Sequence, residues 1–285
     1  MINRKKLLGF MAGIVILSLL MAVIITLHNI DSKRNIVNAE SFASKTEAVE
    51  RAKASVALLG KNVDTLEILD GYPIEGVYAI GDRERKFMVK VKKSTGELIG
   101  ISSSDDINAH GPVKVSLEDA NKLAKQFAEK AGVNLAGCEL TTEDFGPDSP
   151  AKNLYLFKWF KVNKDVILPS SINVAVNKST GKIASFSKTD VAVNIPIEPR
   201  IAKEKAIKLA DKSLSLSVKG NKVKMINDPN ASLGVSVKNG IQQLVWTIDF
   251  KFIEAIPGGE DGAGIPRFVS VLVDAQTGEI FDPMK

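Results

Sequence analysis

The chain has 285 residues, 45% hydrophobic and 25% charged, a balance that describes a folded globular protein and excludes a disordered one. Setting aside Arg4, Lys5 and Lys6 leaves 35 of the 38 basic residues against 33 acidic ones, so the net charge of +5 falls to +2; the rest are scattered lysines without aromatic interleaving, which argues against a nucleic-acid surface. A single cysteine, Cys138, excludes an internal disulfide and a Cys-x-x-Cys site, and reads as a lone buried thiol.

Residues 1–6 form a short basic tail. Leu7 to Leu27 follow as 21 residues without a charge, enough for a helix of roughly 31 Å, about one hydrocarbon thickness. This segment is expected to be an uncleaved transmembrane signal anchor, with a cleaved secreted form as the alternative. The nearest cleavage candidate, Val37-Asn38-Ala39, lies well downstream of the apolar run. Arg4, Lys5 and Lys6 on one side and only Lys33 and Arg34 on the other place the N-terminus inside and everything after Leu27 outside the cytoplasm, a single-pass protein of the cell membrane. Residues 28–43 make a polar stalk.

The remainder carries one turn written three times: Ser94-Thr95-Gly96-Glu97, Ser179-Thr180-Gly181-Lys182 and Gln276-Thr277-Gly278-Glu279. Before each turn the apolar residues alternate, as Phe87, Val89, Val91, then Ile172, Val174, Val176, then Val269, Val271, Val273. After it comes Leu98, Ile183 or Ile280. Period-2 spacing buries one face of a strand and the glycine supplies a positive φ, so each copy is predicted to be a β-hairpin. Upstream of each hairpin an amphipathic helix is predicted from alanines four apart: Ala48 and Ala52, Ala120 and Ala124, Ala206 and Ala210. The middle helix has Ser116 as its N-cap, Glu118 and Asp119 in the first turn and Gly132 past its end. Further strands are expected over Val63–Leu69, Val77–Ile80, Leu154–Val162 and Leu244–Ile253. In the third of these Tyr155, Phe157 and Trp159 share a face that reads as core, with a peptide or glycan platform as the alternative. The expected fold class is therefore α+β: an N-terminal transmembrane helix followed by three units over 44–107, 113–193 and 200–285, each a helix packed on a small antiparallel sheet.

The string Val271-Leu272-Val273-Asp274-Ala275-Gln276-Thr277-Gly278-Glu279-Ile280, following an Ala-x-x-x-Ala helix, resembles the C-terminal signature of PepSY domains. The middle copy, with Tyr155-Leu156-Phe157-Lys158-Trp159 and then Ile172 to Phe186, looks more like the related YcdB/YcdC repeat. The resemblance implies PepSY-like units of the kind found in propeptides of thermolysin-type metallopeptidases, where they inhibit or assist folding, and in membrane-anchored envelope proteins of Gram-positive bacteria. The chain departs from the peptidase precursors in having no His-Glu-x-x-His segment, and from the spore-germination relatives in having no long N-terminal helical region.

Catalytic chemistry finds little support. The two histidines, His28 and His110, are far apart in the chain, and His110 sits in the linker His110-Gly111-Pro112, so neither a His-based metal site nor a triad is expected. Ser149 with Lys152, and Ser185 with Lys188, have Ser-x-x-Lys spacing, but neither pair sits at a predicted helix start. Asp105 with Asp106, and Glu260 with Asp261, lack the alternating spacing of a Ca²⁺ loop and read as solvated carboxylates. Asp274 is expected to bind turn amides. No catalytic residue, metal ligand or cofactor is assigned. The expectation is a non-enzymatic, membrane-anchored extracytoplasmic binding or regulatory protein that engages or inhibits an envelope peptidase or wall hydrolase. The alternative is a structural scaffold related to sporulation or germination. An unpaired sheet edge is one candidate surface, and the unmatched stretches Glu143–Asn153 and Pro257–Pro266 are where a site is expected.

Overall fold

The computed structural model describes residues 44–71, 74–146, 148–217, 223–255 and 264–281. The expected tail, membrane segment and stalk, together with His28, Glu260, Asp261 and residues 257–263, lie outside them. The chain forms two units, Met1–Lys161 with Ser170–Asp190, and Val162–Pro169 with Val191–Lys285.

The first unit begins with helix α1 (Lys45–Leu58), opened by a capping box in which Ser44 Oγ accepts from the Glu47 amide and the Glu47 carboxylate accepts from the Ser44 amide. Strands β1 (Glu67–Ile68), β2 (Val77–Gly81), β3 (Phe87–Lys92) and β4 (Leu98–Ser103) follow, then a short helix α2 (Ser104–Asn108). The second copy repeats the plan with α3 (Leu117–Lys130), β5 (Cys138–Asp144), β6 (Leu154–Asn163), β7 (Val166–Asn177) and β8 (Ile183–Thr189). As the sequence predicts, Ser116 caps α3 by accepting from the Asp119 amide, and Gly132 takes φ 77° just beyond the helix. Ala48, Ala52, Ala120 and Ala124 are fully buried, so both helices lie close on the sheet over Val89, Val91, Val174 and Val176. Tyr155, Phe157 and Trp159 are core, with Phe157 and Trp159 stacked; full burial of a ring such as Phe157 contributes roughly 2–3 kcal/mol.

The strand order in this unit is β1-β2-β3-β4-β8-β7-β6-β5. The two copies therefore share one eight-stranded sheet and one hydrophobic core, joined through β4 and β8. The register at that joint is symmetric. Gly100 faces Ser187, Ile101 faces Phe186 and Ser102 faces Ser185, while alignment of Thr95 with Thr180 makes Gly100, Ile101 and Ser102 the counterparts of Ser185, Phe186 and Ser187. The copies are thus related by a pseudo-twofold axis between Ile101 and Phe186, the arrangement of an isologous dimer made within one chain. Both hairpins also bulge at the same place, Lys90/Val91 and Ala175/Val176.

The second unit holds α4 (Lys203–Ser217), β9 (Val223–Met225), β10 (Asn230–Lys238), β11 (Ile241–Ala255), β12 (Gly264–Asp274) and β13 (Ile280–Phe281). Ala206, Ala210, Trp246, Phe250 and Val273 build its core, and the Trp246 indole donates to the Ile201 carbonyl at 2.8 Å. An Asn239-Gly240 turn, both residues at positive φ, joins β10 to β11. Residues Val162–Pro169 belong here, and Val166 and Ile167 at the start of β7 run parallel to Leu233 and Gly234 of β10. Gly234 eases this close approach, because a Cβ would stand a tight 3.2 Å from the Ile167 carbonyl oxygen.

The three predicted hairpins are present and chemically alike. In each turn the glycine amide donates to the carbonyl four residues back: Gly96 to Lys92, Gly181 to Asn177, Gly278 to Asp274. The threonine hydroxyl accepts from the amide two residues on, in Thr95–Glu97, Thr180–Lys182 and Thr277–Glu279.

The expected fold class requires correction. The protein is a mixed α/β structure dominated by antiparallel sheet, with few helices among the described residues, and not three units each with a small sheet of its own. The physical reason is that the last strand of an isolated hairpin leaves a row of unpaired amides and carbonyls, and β4 and β8 satisfy each other's. No helix among the described residues is long and apolar enough to cross a membrane, and residues 7–27, where a transmembrane helix is expected, lie outside them.

Candidate functional site

The candidate chemical groups are separated by the fold. Ser149 lies on a turn and its hydroxyl accepts the Ala151 amide. Ser185 and Lys188 sit three apart on β8, where odd spacing points side chains to opposite faces, and Lys188 is ion-paired with Glu97. Asp105 and Asp106 also diverge. Asp106 is only 4% exposed and pairs with Lys61 at 2.5 Å, so it is a buried anion of the α2 turn rather than a solvated one. His110 is exposed, with Nδ1 against the Asn153 amide. Asp274 accepts from the Gln276 and Thr277 amides, both at 2.7 Å, as its position predicts. Among the described residues no three His, Cys, Asp or Glu side chains converge on a common point.

What the fold does bring together is a polar clasp around the second hairpin turn. Asn177, fully buried, accepts from the Ser179 amide and hydroxyl and the Thr180 amide, and donates to the carbonyls of Asp106 and Ala109. Its neighbour Lys178 extends its ammonium into the β5–β6 connection, donating to Asp144 Oδ1 at 2.5 Å, to the Lys152 carbonyl at 2.6 Å and to the Phe145 carbonyl at 3.4 Å. The ammonium lies 4.8 Å from the centre of the Tyr155 ring. The stretch Glu143–Asn153 is thus fastened to the turn.

Beside it lies the open feature of the unit. Strand β5 pairs along its whole length with β6, from Cys138 opposite Lys161 to Asp144 opposite Tyr155, and among the described residues with no other strand. Its pairing places Cys138, Leu140, Thr142 and Asp144 on the core face, and Glu139, Thr141 and Glu143 on the other. Glu143 is paired with Lys158 at 2.5 Å, and the core-face Leu140 remains 37% exposed. At the β5 end, Lys161 bonds Asp190 at 3.1 Å. Burial pushes the Asp190 carboxyl up, but hydrogen bonds from Lys161 and Ser170 outweigh it and hold the group below its ordinary range. Burial raises the Cys138 thiol, partly offset by Lys161. The shift runs against the lowered value that marks a reactive thiol.

The three copies treat this edge differently. By pairing order β1, β5 and β10 are equivalent outer strands. In the first copy the strand is only Glu67–Ile68, too short to template a neighbour. In the third, Val166 and Ile167 pair with Leu233 and Gly234 at the middle of the nine-residue β10. In the second, the edge spans Cys138–Asp144 and no further strand among the described residues pairs with it.

Residues 77–190 match the YcdB, YcdC repeated domain. The matched span runs from β2 to just past β8 and so takes in both hairpins of the shared sheet. Among solved structures, the Bacillus megaterium YpeB C-terminal domain is similar at 16% identity over 84% of this chain and 96% of that one, with a TM-score of 0.48. An uncharacterized protein from Eubacterium rectale is similar at 13% identity over 84% and 82% of the two chains, with a TM-score of 0.47. No curated protein matches.

Sequence reasoning named an unpaired edge without locating it, and missed β5 and β10 altogether. β10 carried readable signals: Ala231, Leu233, Val235 and Val237 alternate, and Asn239-Gly240 is a strong hairpin turn. β5 carried almost none, because an edge strand buries little and its composition, Cys-Glu-Leu-Thr-Thr-Glu-Asp, has one large apolar residue.

Proposed function

We propose that this protein is a non-enzymatic binding module that accepts an extended segment of another polypeptide on the free edge of β5. The observation that carries this reading is the contrast among the equivalent edges: one only two residues long, one met at its middle by Val166 and Ile167, and one of seven residues with which no further strand pairs among the described residues. An open edge offers alternating amides and carbonyls that a strand can satisfy without any particular side-chain sequence, and flanking side chains then set the preference. The clasp through Lys178 supports the role by holding the β5–β6 connection in place, so that little of the binding energy goes into ordering the acceptor. The partner class proposed from the sequence is an envelope protein, such as a peptidase or wall hydrolase. The PepSY-like hairpin of the third copy supports placing the chain in that company.

The test is site-specific crosslinking in the native cells. A photoreactive residue at Glu139, exposed on β5, should capture a polypeptide, and of Thr141→Pro and Thr142→Pro the one whose amide points away from β6 should abolish capture while leaving the fold intact. Capture that survives both variants, or that matches a photoreactive residue at exposed Glu204 on α4, would overturn the reading.

A further inference from the structure

Resting on the reading of β5 as an acceptor edge, we infer that its occupant is a second copy of this chain, paired antiparallel about a twofold axis at Leu140. The chain already uses this geometry once. β4 and β8 join the first two copies antiparallel about a pseudo-twofold axis in the same sheet, centred on Ile101 and Phe186. A β5–β5 junction would extend that sheet by the same operation at its far end.

The residues of β5 select the register. In a symmetric antiparallel pair the core faces align only when the axis passes at a residue rather than between two, since a one-residue slip turns every side chain to the other face. Centring on Thr141 sets Glu139 opposite Glu143 at two places, like charges facing directly, which is destabilising. Centring on Thr142 places Asp144, already committed to Lys178, opposite Leu140. Centring on Leu140 opposes no two carboxylates. Leu140 meets Leu140 and covers the exposed apolar surface, Glu139 meets a Thr141 hydroxyl able to donate to it, and Cys138 meets Thr142. Directly opposed residues of an antiparallel pair have Cα atoms about 4.5–5.5 Å apart, within the range a disulfide spans. The two Cys138 residues are offset by four positions, about 13 Å at strand rise, beyond it.

The full chain carrying Thr142→Cys should therefore form a covalent dimer under mild oxidation, seen on a non-reducing gel. The same variant with Cys138→Ser added should not, nor should Thr141→Cys, whose new thiol lies on the opposite face. Light scattering of the wild-type chain should report a dimer that Leu140→Lys converts to monomer, and amide exchange should show the β5 amides that point away from β6 protected in the dimer only. A wild-type monomer with no Thr142→Cys crosslink overturns the second-copy inference. If the β5 amides that point away from β6 exchange quickly in that monomer, the acceptor reading stands alone; if those amides exchange slowly, the edge is covered within the monomer and that reading falls as well. Equal crosslinking by Thr141→Cys overturns the register.

Discussion

Replacing Asn177 by alanine tests how the second turn is built. The side chain is fully buried and makes five hydrogen bonds: three accepted from Ser179 and Thr180, two donated to Asp106 and Ala109. The bonds to the Thr180 amide and the Ala109 carbonyl are only part-buried, so water can recover them; the bonds to Ser179 and to the Asp106 carbonyl are buried and are lost outright. At about 1 kcal/mol for each of these three, the expected loss is about 3 kcal/mol. Asn177→Asp retains the acceptor, as Asp274 does in the third hairpin, but not the two donations, so it should recover only part of that. Urea unfolding on a Trp246→Phe background, followed by the remaining indole of Trp159 in the core of this unit, measures the change. A loss below about 1 kcal/mol for Asn177→Ala, or full recovery by Asn177→Asp, would refute the claim that this side chain ties the turn to the linker.

Gly181→Ala should cost more than Gly96→Ala by about 1 kcal/mol or more, although both glycines have positive φ. The new Cβ at 181 meets Val115 Cγ2 at 2.9 Å, whereas at 96 it meets the mobile side chain of Arg51 at 3.0 Å; thermal unfolding of the two variants decides it. Lys178→Met should cost about 2 kcal/mol, chiefly for the carbonyls of Lys152 and Phe145, because Asp144 is 58% exposed and regains water. Faster amide exchange across Phe145–Asn153 is the specific readout. The Asp190 carboxyl is held below its ordinary value of 3.8 in the folded protein, so its contribution is present above that pH and disappears as the pH falls below it through the depressed value. With the side chain 55% exposed, the contribution is under about 1 kcal/mol. Wild type and Asp190→Asn should therefore differ slightly at neutral pH and converge as the pH falls through the depressed value, and a difference that grew on acidification would contradict this.

The sequence makes the local structure readable and the long-range pairing obscure. Thr95, Thr180 and Thr277 mark their turns because φ and hydrogen bonding there are satisfied within six residues. Ala48, Ala120 and Ala206 mark buried helix faces because helix periodicity is local too. Nothing in Leu98–Ser103 announces that its partner is Ile183–Thr189, since both strands would pair as well with any strand of matching pattern. The shared sheet was therefore not legible. The stretch Glu143–Asn153, where the copies differ and a site is expected, is a connection fastened to the second turn, and the strand with no further partner among the described residues precedes it. The burial of Asp106 was hidden because its counter-ion, Lys61, is remote in sequence.

The pseudo-twofold joint between β4 and β8 carries a hazard with it. A domain-swapped pair, in which the first copy of one molecule takes the place of the first copy of another, would remake the β4–β8 joint and the shared core once both had opened, and would need the linker between Asn108 and Lys114 to extend. Asn177 grips α2 at the Asp106 carbonyl and that linker at the Ala109 carbonyl, and Lys178 receives the Lys114 amide on its own carbonyl. The clasp at the second turn is therefore also a lock on connectivity, keeping each molecule's two halves with each other.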